Sequence, residues 1–279
     1  MDDLNEGRKH LDKKSFFGKS TPDLDAAACA FDSAANQFKA AKDWENAVTA
    51  FTLSSETNQR MQSIFIAADK LSSAALIVSL NLNDPERAAS LYTRCSSLYV
   101  AHGSTERAAE MLERAASLTS SVEDASRLFF EAIDIYEVDD RLRSSVSCFT
   151  RGISFLLLKR QYLKAADLVS RLVNVLVKIN NSRDASKWTL SLVIILIAAE
   201  DAVEARKRLD QAATTGLDLD LGLASALMDA YESGDDGALE NALASREIQY
   251  LDSEVAKLVK SIRPPANAAD AKVEEEGFC

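Results

Sequence analysis

Apolar residues recur along this chain as a stripe at positions i, i+3, i+4, i+7, i+10 and i+11, each time opened by a small residue. From Ala88 the stripe runs Leu91, Tyr92, Cys95, Leu98 and Tyr99. From Ala125 it runs Leu128, Phe129, Ala132, Ile135 and Tyr136, and from Ala165 it runs Leu168, Val169, Leu172, Val175 and Leu176. That period keeps every member on one face of an α-helix. The opening residues are Ala47, Ala68, Ala88, Ala108, Ala125, Ser145, Ala165, Ala185 and Ala205, separated by 21, 20, 20, 17, 20, 20, 20 and 20 residues. A stripe of four turns plus a tight connection fills each step, so the pattern predicts a serial array of helices from Asp23 to about Leu209. Turns are expected at Lys42-Asp43, Asn83-Asp84-Pro85, His102-Gly103, Val122-Glu123, Val138-Asp139-Asp140, Arg160-Gln161 and Asn180-Asn181.

Two such units form a helical hairpin of about forty residues, close to the tetratricopeptide class of repeats. The fold expected is therefore all-α, a right-handed α-solenoid of tetratricopeptide-like hairpins. Stacked hairpins bury their core between neighbours and leave a long surface free, which favours recognition over pocket chemistry. A first helix is expected over Leu4 to Lys14. Residues Ser15 to Pro22 read as a loop, and Thr21-Pro22-Asp23 as a helix start with Thr21 as the cap. After Gly216 the period fades, and two terminal helices are expected over Leu217 to Ser233 and Gly237 to Ile262. The domains expected are 1–209 for the array, 210–262 for an acidic C-terminal bundle and 263–279 for a flexible acidic tail.

Composition sharpens the picture. Four Pro and nine Gly among 279 residues, with 47% hydrophobic residues, fit an all-helical domain. A chain of this length buries roughly three quarters of its unfolded surface without staples. Cys29, Cys95 and Cys148 sit on helical stripes and Cys279 ends the sequence, with no paired spacing, so buried reduced thiols are expected. Trp44 and Trp188 read as core residues, with a turn-exposed anchor as the alternative for Trp44. The start is charged (Asp2, Asp3, Glu6, Arg8, Lys9), and the longest apolar run, Leu190 to Ala199, is ten residues. From these a soluble, cytoplasmic protein is expected. The net charge of −11 is uneven: residues 210–254 hold eleven acids against Arg246 alone, while residues 1–209 are nearly balanced. An acidic end repels nucleic acid and attracts a basic protein.

Candidate chemistry is sparse. There is no glycine-rich phosphate loop, and His10 and His102 stand at no ligand spacing, so no catalytic residue, metal or cofactor is expected. Basic residues are interspersed with acids, which disfavours nucleic acid. No small-molecule substrate is expected either.

The stretch Phe38-Lys39-Ala40-Ala41-Lys42-Asp43-Trp44-Glu45-Asn46-Ala47-Val48-Thr49-Ala50-Phe51 resembles the soluble NSF attachment proteins, the SNAP adaptors. Ser15-Phe16-Phe17, Asp84-Pro85, Gln161-Tyr162 with Lys164-Ala165, and an acidic tail agree in order. Pro22-Asp23 with Asp25-Ala26-Ala27, Glu106-Arg107-Ala108-Ala109, Arg141-Leu142-Arg143 and Cys279 look most like the γ type. The resemblance implies a twisted sheet of helical hairpins with a C-terminal bundle. It also implies an adaptor that binds the SNARE four-helix bundle and recruits the hexameric ATPase NSF to disassemble it in vesicle traffic, peripherally on membranes. On this reading, Phe16 and Phe17 with Lys13, Lys14 and Lys19 make a reversible membrane contact, a few kcal/mol from the two rings and about 1 kcal/mol per cation. The alternative is that the two rings staple the first helix onto the array. Arg114, Arg151, Lys159 and Arg160 are candidates for the SNARE face. Glu110 stands where α-type members are expected to carry a basic residue. Glu274, Glu275, Glu276 and Phe278 are candidates for NSF, Phe278 occupying the place of a penultimate Leu in the family; an inert tail is the alternative. A generic tetratricopeptide-like scaffold or peptide clamp is the competing function.

Overall fold

The computed structural model describes residues 2–12, 23–215 and 217–263. Among them every regular element is helical, and the chain divides into two compact units, Met1–Arg141 and Leu142–Cys279. The first holds α1 (Asp2–Leu11), α2 (Leu24–Ala40), α3 (Trp44–Arg60), α4 (Ile64–Ile77), α5 (Pro85–His102), α6 (Thr105–Leu118) and α7 (Val122–Val138). The second holds α8 (Leu142–Leu158), α9 (Tyr162–Lys178), α10 (Ser182–Ala198), α11 (Ala202–Ala213), α12 (Gly222–Ser233), α13 (Asp236–Leu243) and α14 (Ser253–Val259), with a 3₁₀ turn at Arg246–Tyr250. Sequence neighbours pack side by side from α1 to α7 and from α8 to α13, and α14 folds back onto α8 and α10.

The small residue of each repeat has one place: it is the fourth residue of its helix and fully buried, from Ala27 in α2 to Ala205 in α11. In α2 to α7 and α9 to α11 its N–H donates to the carbonyl of the capping residue, as Ala47 does to Asp43 (3.0 Å) and Ala165 to Gln161 (2.9 Å). That amide closes the first helical turn, and because the residue is fully buried a larger side chain has no room there. From α2 to α11 every turn but that between α6 and α7 spends one residue in the left-handed region: Lys42, Gln62, Asn83, Gly103, Asp140, Arg160, Asn180 and Glu200 have φ between 52° and 83°. The next N–H then reaches back five residues to close the old helix, as from Gln161 to the carbonyl of Leu156 (2.8 Å). Aspartates then cap the new helix, Asp84 accepting from the Arg87 N–H (3.1 Å) and Asp201 from the Glu204 N–H (3.0 Å).

Two irregular steps have structural causes. Ala67, not Ala68, is the fourth residue of α4, and the extra residue before Ala88 is absorbed by the π-helical turn Val78–Leu82 that ends this helix. The 17-residue step reflects a shorter α6 of 14 residues, whose C-cap Thr119 is extended (ψ 138°) rather than left-handed.

Several expectations are corrected. The first helix is Asp2–Leu11, with Lys14 outside the described residues. Asp23 caps α2, accepting from the Ala26 N–H at 3.2 Å, while Thr21 and Pro22 lie outside the described residues. Val122 and Glu123 begin α7 instead of forming a turn; the turn is Thr119 to Ser121, where Ser121 caps the helix. The two expected terminal helices are three shorter ones and a 3₁₀ turn. Cys29 is exposed, whereas Cys95 and Cys148 are buried. Trp188 is buried but Trp44, first residue of its helix, is only half-buried. Finally, α4 with its π turn, Ile64–Leu82, forms a helix of 19 residues with mean hydropathy 1.4, long and apolar enough to meet the length and composition of a membrane span. Here it packs between α3 and α5, and its Lys70 pairs with Asp32 (2.8 Å).

Candidate functional site

In the first unit, α6 buries Ala108, Ala109, Met111, Leu112, Ala115 and Ala116, which turns Arg107, Glu110 and Arg114 outward as a single stripe. The stripe is internally neutralised. Arg114 Nη2 donates to Glu110 Oε1 at 2.7 Å, with its guanidinium 5.9 Å from the Tyr92 ring centroid. The hydrogen bond to Glu110 is the main cause holding the Arg114 guanidinium above its ordinary pKa. Arg107 lies 5.0 Å over the Phe65 ring and 4.0 Å from Asp69, and its hydrogen bond to the Tyr99 hydroxyl leads a rise in its own pKa. The sequence pointed to Arg114 and missed Arg107. Its signal is the aromatic pair Phe65 and Tyr99, 5.7 Å apart, which only tertiary packing assembles.

In the second unit, Arg151 is exposed on the middle of α8, and Lys159 and Arg160 form its C-terminal turn. Lys159 Nζ sits 5.9 Å from the Phe155 ring, and Arg160 holds the left-handed position (φ 56°). Lys159 and Arg160 make no ion pair among the described residues, so their charge is available to a partner. Flanking them are Leu158 and Leu163, 64% and 59% exposed. Neither leucine belongs to a repeat stripe, which was the available sequence signal for an apolar element beside the cations. The structure thus places Lys159 and Arg160 together with two leucines at one turn, while Arg114 belongs to the other unit.

A family model, "Soluble NSF attachment protein, SNAP", matches residues 2–263. The chain belongs to that family. Among curated relatives, the γ-soluble NSF attachment protein of Dictyostelium discoideum is 28% identical over 268 residues, covering 93% of this chain and 81% of the relative. That of Arabidopsis thaliana is 26% identical over 237 residues, covering 83% and 81%.

The acidic end of this family member is organised by one cation. Arg206 on α11 donates to Asp229 (2.6 Å) and to Glu232 (Nε, 3.1 Å) on α12, which holds its guanidinium well above its usual pKa, Glu232 first and Asp229 second. Asp218, Asp220, Asp235, Asp236, Glu240 and Glu247 remain exposed around α12 and α13. Lys13, Lys14, Phe16, Phe17 and Lys19 lie outside the described residues, as do Glu274, Glu275, Glu276 and Phe278. Among the described residues no three His, Cys, Asp or Glu side chains gather as a metal site.

Proposed function

We infer that this protein is an adaptor of SNARE disassembly: it binds the assembled SNARE four-helix bundle and attaches the hexameric ATPase NSF to it during vesicle-mediated transport. The observation that carries this reading is the family match across residues 2–263. The cationic turn at Lys159 and Arg160, flanked by exposed leucines, supports it. A SNARE bundle is a rod of helices, and an exposed cation pair beside two leucines can meet an acidic stripe and its apolar margin. Arg151 extends the same contact along α8, and Arg114 contributes once released from Glu110.

The exposed carboxylates of residues 210–262, joined by Glu274, Glu275 and Glu276, steer a basic surface of NSF, and Phe278 supplies an apolar contact behind them. Residues 15–22, with Phe16 and Phe17 between Lys13, Lys14 and Lys19, touch the membrane reversibly, so the protein works from the cytoplasm on membrane surfaces. It carries no reaction of its own; the ATPase supplies the work. Co-sedimentation of the chain with a SNARE bundle, and of NSF with the pair, tests this function. Binding to both supports it, and binding to neither leaves only a scaffold of another kind.

A further inference from the structure

The second unit contains a cavity of about 710 Å³ that the adaptor reading does not use. It opens between the first turns of α10, the start of α12 and the end of the 3₁₀ turn. That volume is in the range of sites that enclose a ligand or a short peptide segment. Its floor is apolar: Leu190 and Ala224 are buried, and Leu223 and Leu251 complete it. Tyr250, 61% exposed, stands at the edge. The wall on α10 carries Arg183 and Lys187, four residues apart and so on one helical face. Neither cation makes an ion pair among the described residues. The acids of the cavity differ in position and in engagement. Asp184 accepts from the Asn181 side chain (2.7 Å), Asp220 accepts from the Gly222 N–H (3.3 Å), and Glu247 comes from the 3₁₀ turn opposite α10. The Asp220 N–H donates to Ser186 Oγ (2.8 Å) and ties the approach to α12 onto α10.

We propose that this cavity holds the chain's own tail, with Glu274, Glu275 and Glu276 against Arg183 and Lys187 and Phe278 on the floor of Leu190, Leu223 and Leu251. Chemistry supports this occupant: the segment Lys272-Val273-Glu274-Glu275-Glu276-Gly277-Phe278 carries three anions, one cation and an aromatic ring. The cavity carries Arg183 and Lys187, without ion partners among the described residues, for the anions, Asp184, Asp220 and Glu247 on the acidic side, and an apolar floor for the ring. Reach supports it as well. The tail continues from Arg263 just after α14, which packs on α10. Eleven extended residues from there to Glu274 span roughly 36 Å, more than the roughly 25 Å length of the 17-residue α10. A docked tail withholds its glutamates and Phe278 from other partners, so a partner must compete for them.

The test uses the full chain with Cys29→Ser and a nitroxide on Cys279. The other two cysteines do not react: both are buried, and burial pushes the Cys95 thiol up to about 12. Among the leucines of the second unit, methyl spectra should show the strongest paramagnetic broadening at Leu190, Leu223 and Leu251. Glu274→Gln/Glu275→Gln/Glu276→Gln, which leaves every described helix untouched, should reduce the broadening at least several-fold, as should Arg183→Glu/Lys187→Glu. No selective broadening, or broadening insensitive to both variants, overturns the proposal. Broadening seen only when the nitroxide and the isotope are on different molecules overturns it in favour of tail exchange between copies.

Discussion

Arg114 and Glu110 form a 2.7 Å ion pair one turn apart on α6, so the cation singled out for partner binding in the first unit is already matched by its own helix. Both partners are about half exposed, at 45% and 49%, and such pairs add at most about 1 kcal/mol to stability. Removing the glutamate should therefore free a charge without harming the fold. Glu110→Gln is expected to shift the denaturation midpoint negligibly and to raise the association rate with an acidic SNARE bundle a few-fold at low salt. An unchanged rate in stopped-flow mixing places Arg114 outside the contact.

The buried small residue at the fourth position of each repeat helix, an alanine in all but α8, leaves no room for growth. Ala165→Leu should cost about 1–3 kcal/mol through overpacking, read as a lower urea midpoint, because Ala165 is fully buried. Gly7 makes the same point on α1: a Cβ there would sit 2.5 Å from the Phe31 ring. Gly7→Ala should loosen α1 from α2, and faster amide exchange confined to α1 would register it.

At the turns the chain holds ordinary residues in a left-handed conformation that costs about 1–2 kcal/mol apiece. Glu200, with φ 61°, lies at the turn between α10 and α11. Glu200→Gly should raise stability by up to about 1 kcal/mol, the relieved strain exceeding the extra entropy of the unfolded chain. Differential scanning calorimetry would show a higher Tm.

Among the described residues four carboxyls, the exposed Asp139, Glu86 and Asp124 and the half-buried Glu204, make the fold acid-sensitive, Glu204 being held down first by Lys207 and then by Arg208. Asp139 is held below its ordinary pKa first by the Thr105 hydroxyl and then by Arg141, Glu86 by the Ser120 hydroxyl and N–H, and Asp124 by Ser121 and then Arg127. A carboxyl with a lower pKa folded than unfolded adds stability that is complete above the ordinary carboxylate range and is lost as pH falls through its folded value. The urea midpoint should hold steady from neutrality down to about pH 5 and decline below about pH 4. Thr105→Val removes the largest cause at Asp139, so its deficit should be greatest near neutrality and shrink at acid pH.

The helical array was legible because one small residue marks the fourth position of helix after helix, and a helix of fixed length with a fixed turn repeats that mark. Where the helix length changes, the mark misleads: α6 is three residues shorter than α7, which put the expected turn on Val122 and Glu123 rather than on Thr119 to Ser121. Ala67 and Ala68 are both fully buried, so the sequence offered no means to choose the one that starts α4. Cys29 follows two buried alanines and reads as one more stripe member, yet α2 turns it to solvent. The C-terminal helices escaped because α12 to α14 pack through non-repeating contacts, with Arg206 reaching across 23 residues to Asp229. At the candidate site the cations were visible as residue types, but their pairing was not. Glu110 sits four residues from Arg114 in plain view, whereas Asp69 meets Arg107 only through the packing of α4 beside α6.

The SNARE contact we propose lies on the cationic turn of α8, and charge reversal there tests it. Lys159→Glu/Arg160→Glu, on the intact chain, should lower recovery of the SNARE bundle in co-sedimentation at least ten-fold while circular dichroism and NSF binding to the acidic end stay unchanged. Full bundle recovery by this variant would contradict the contact.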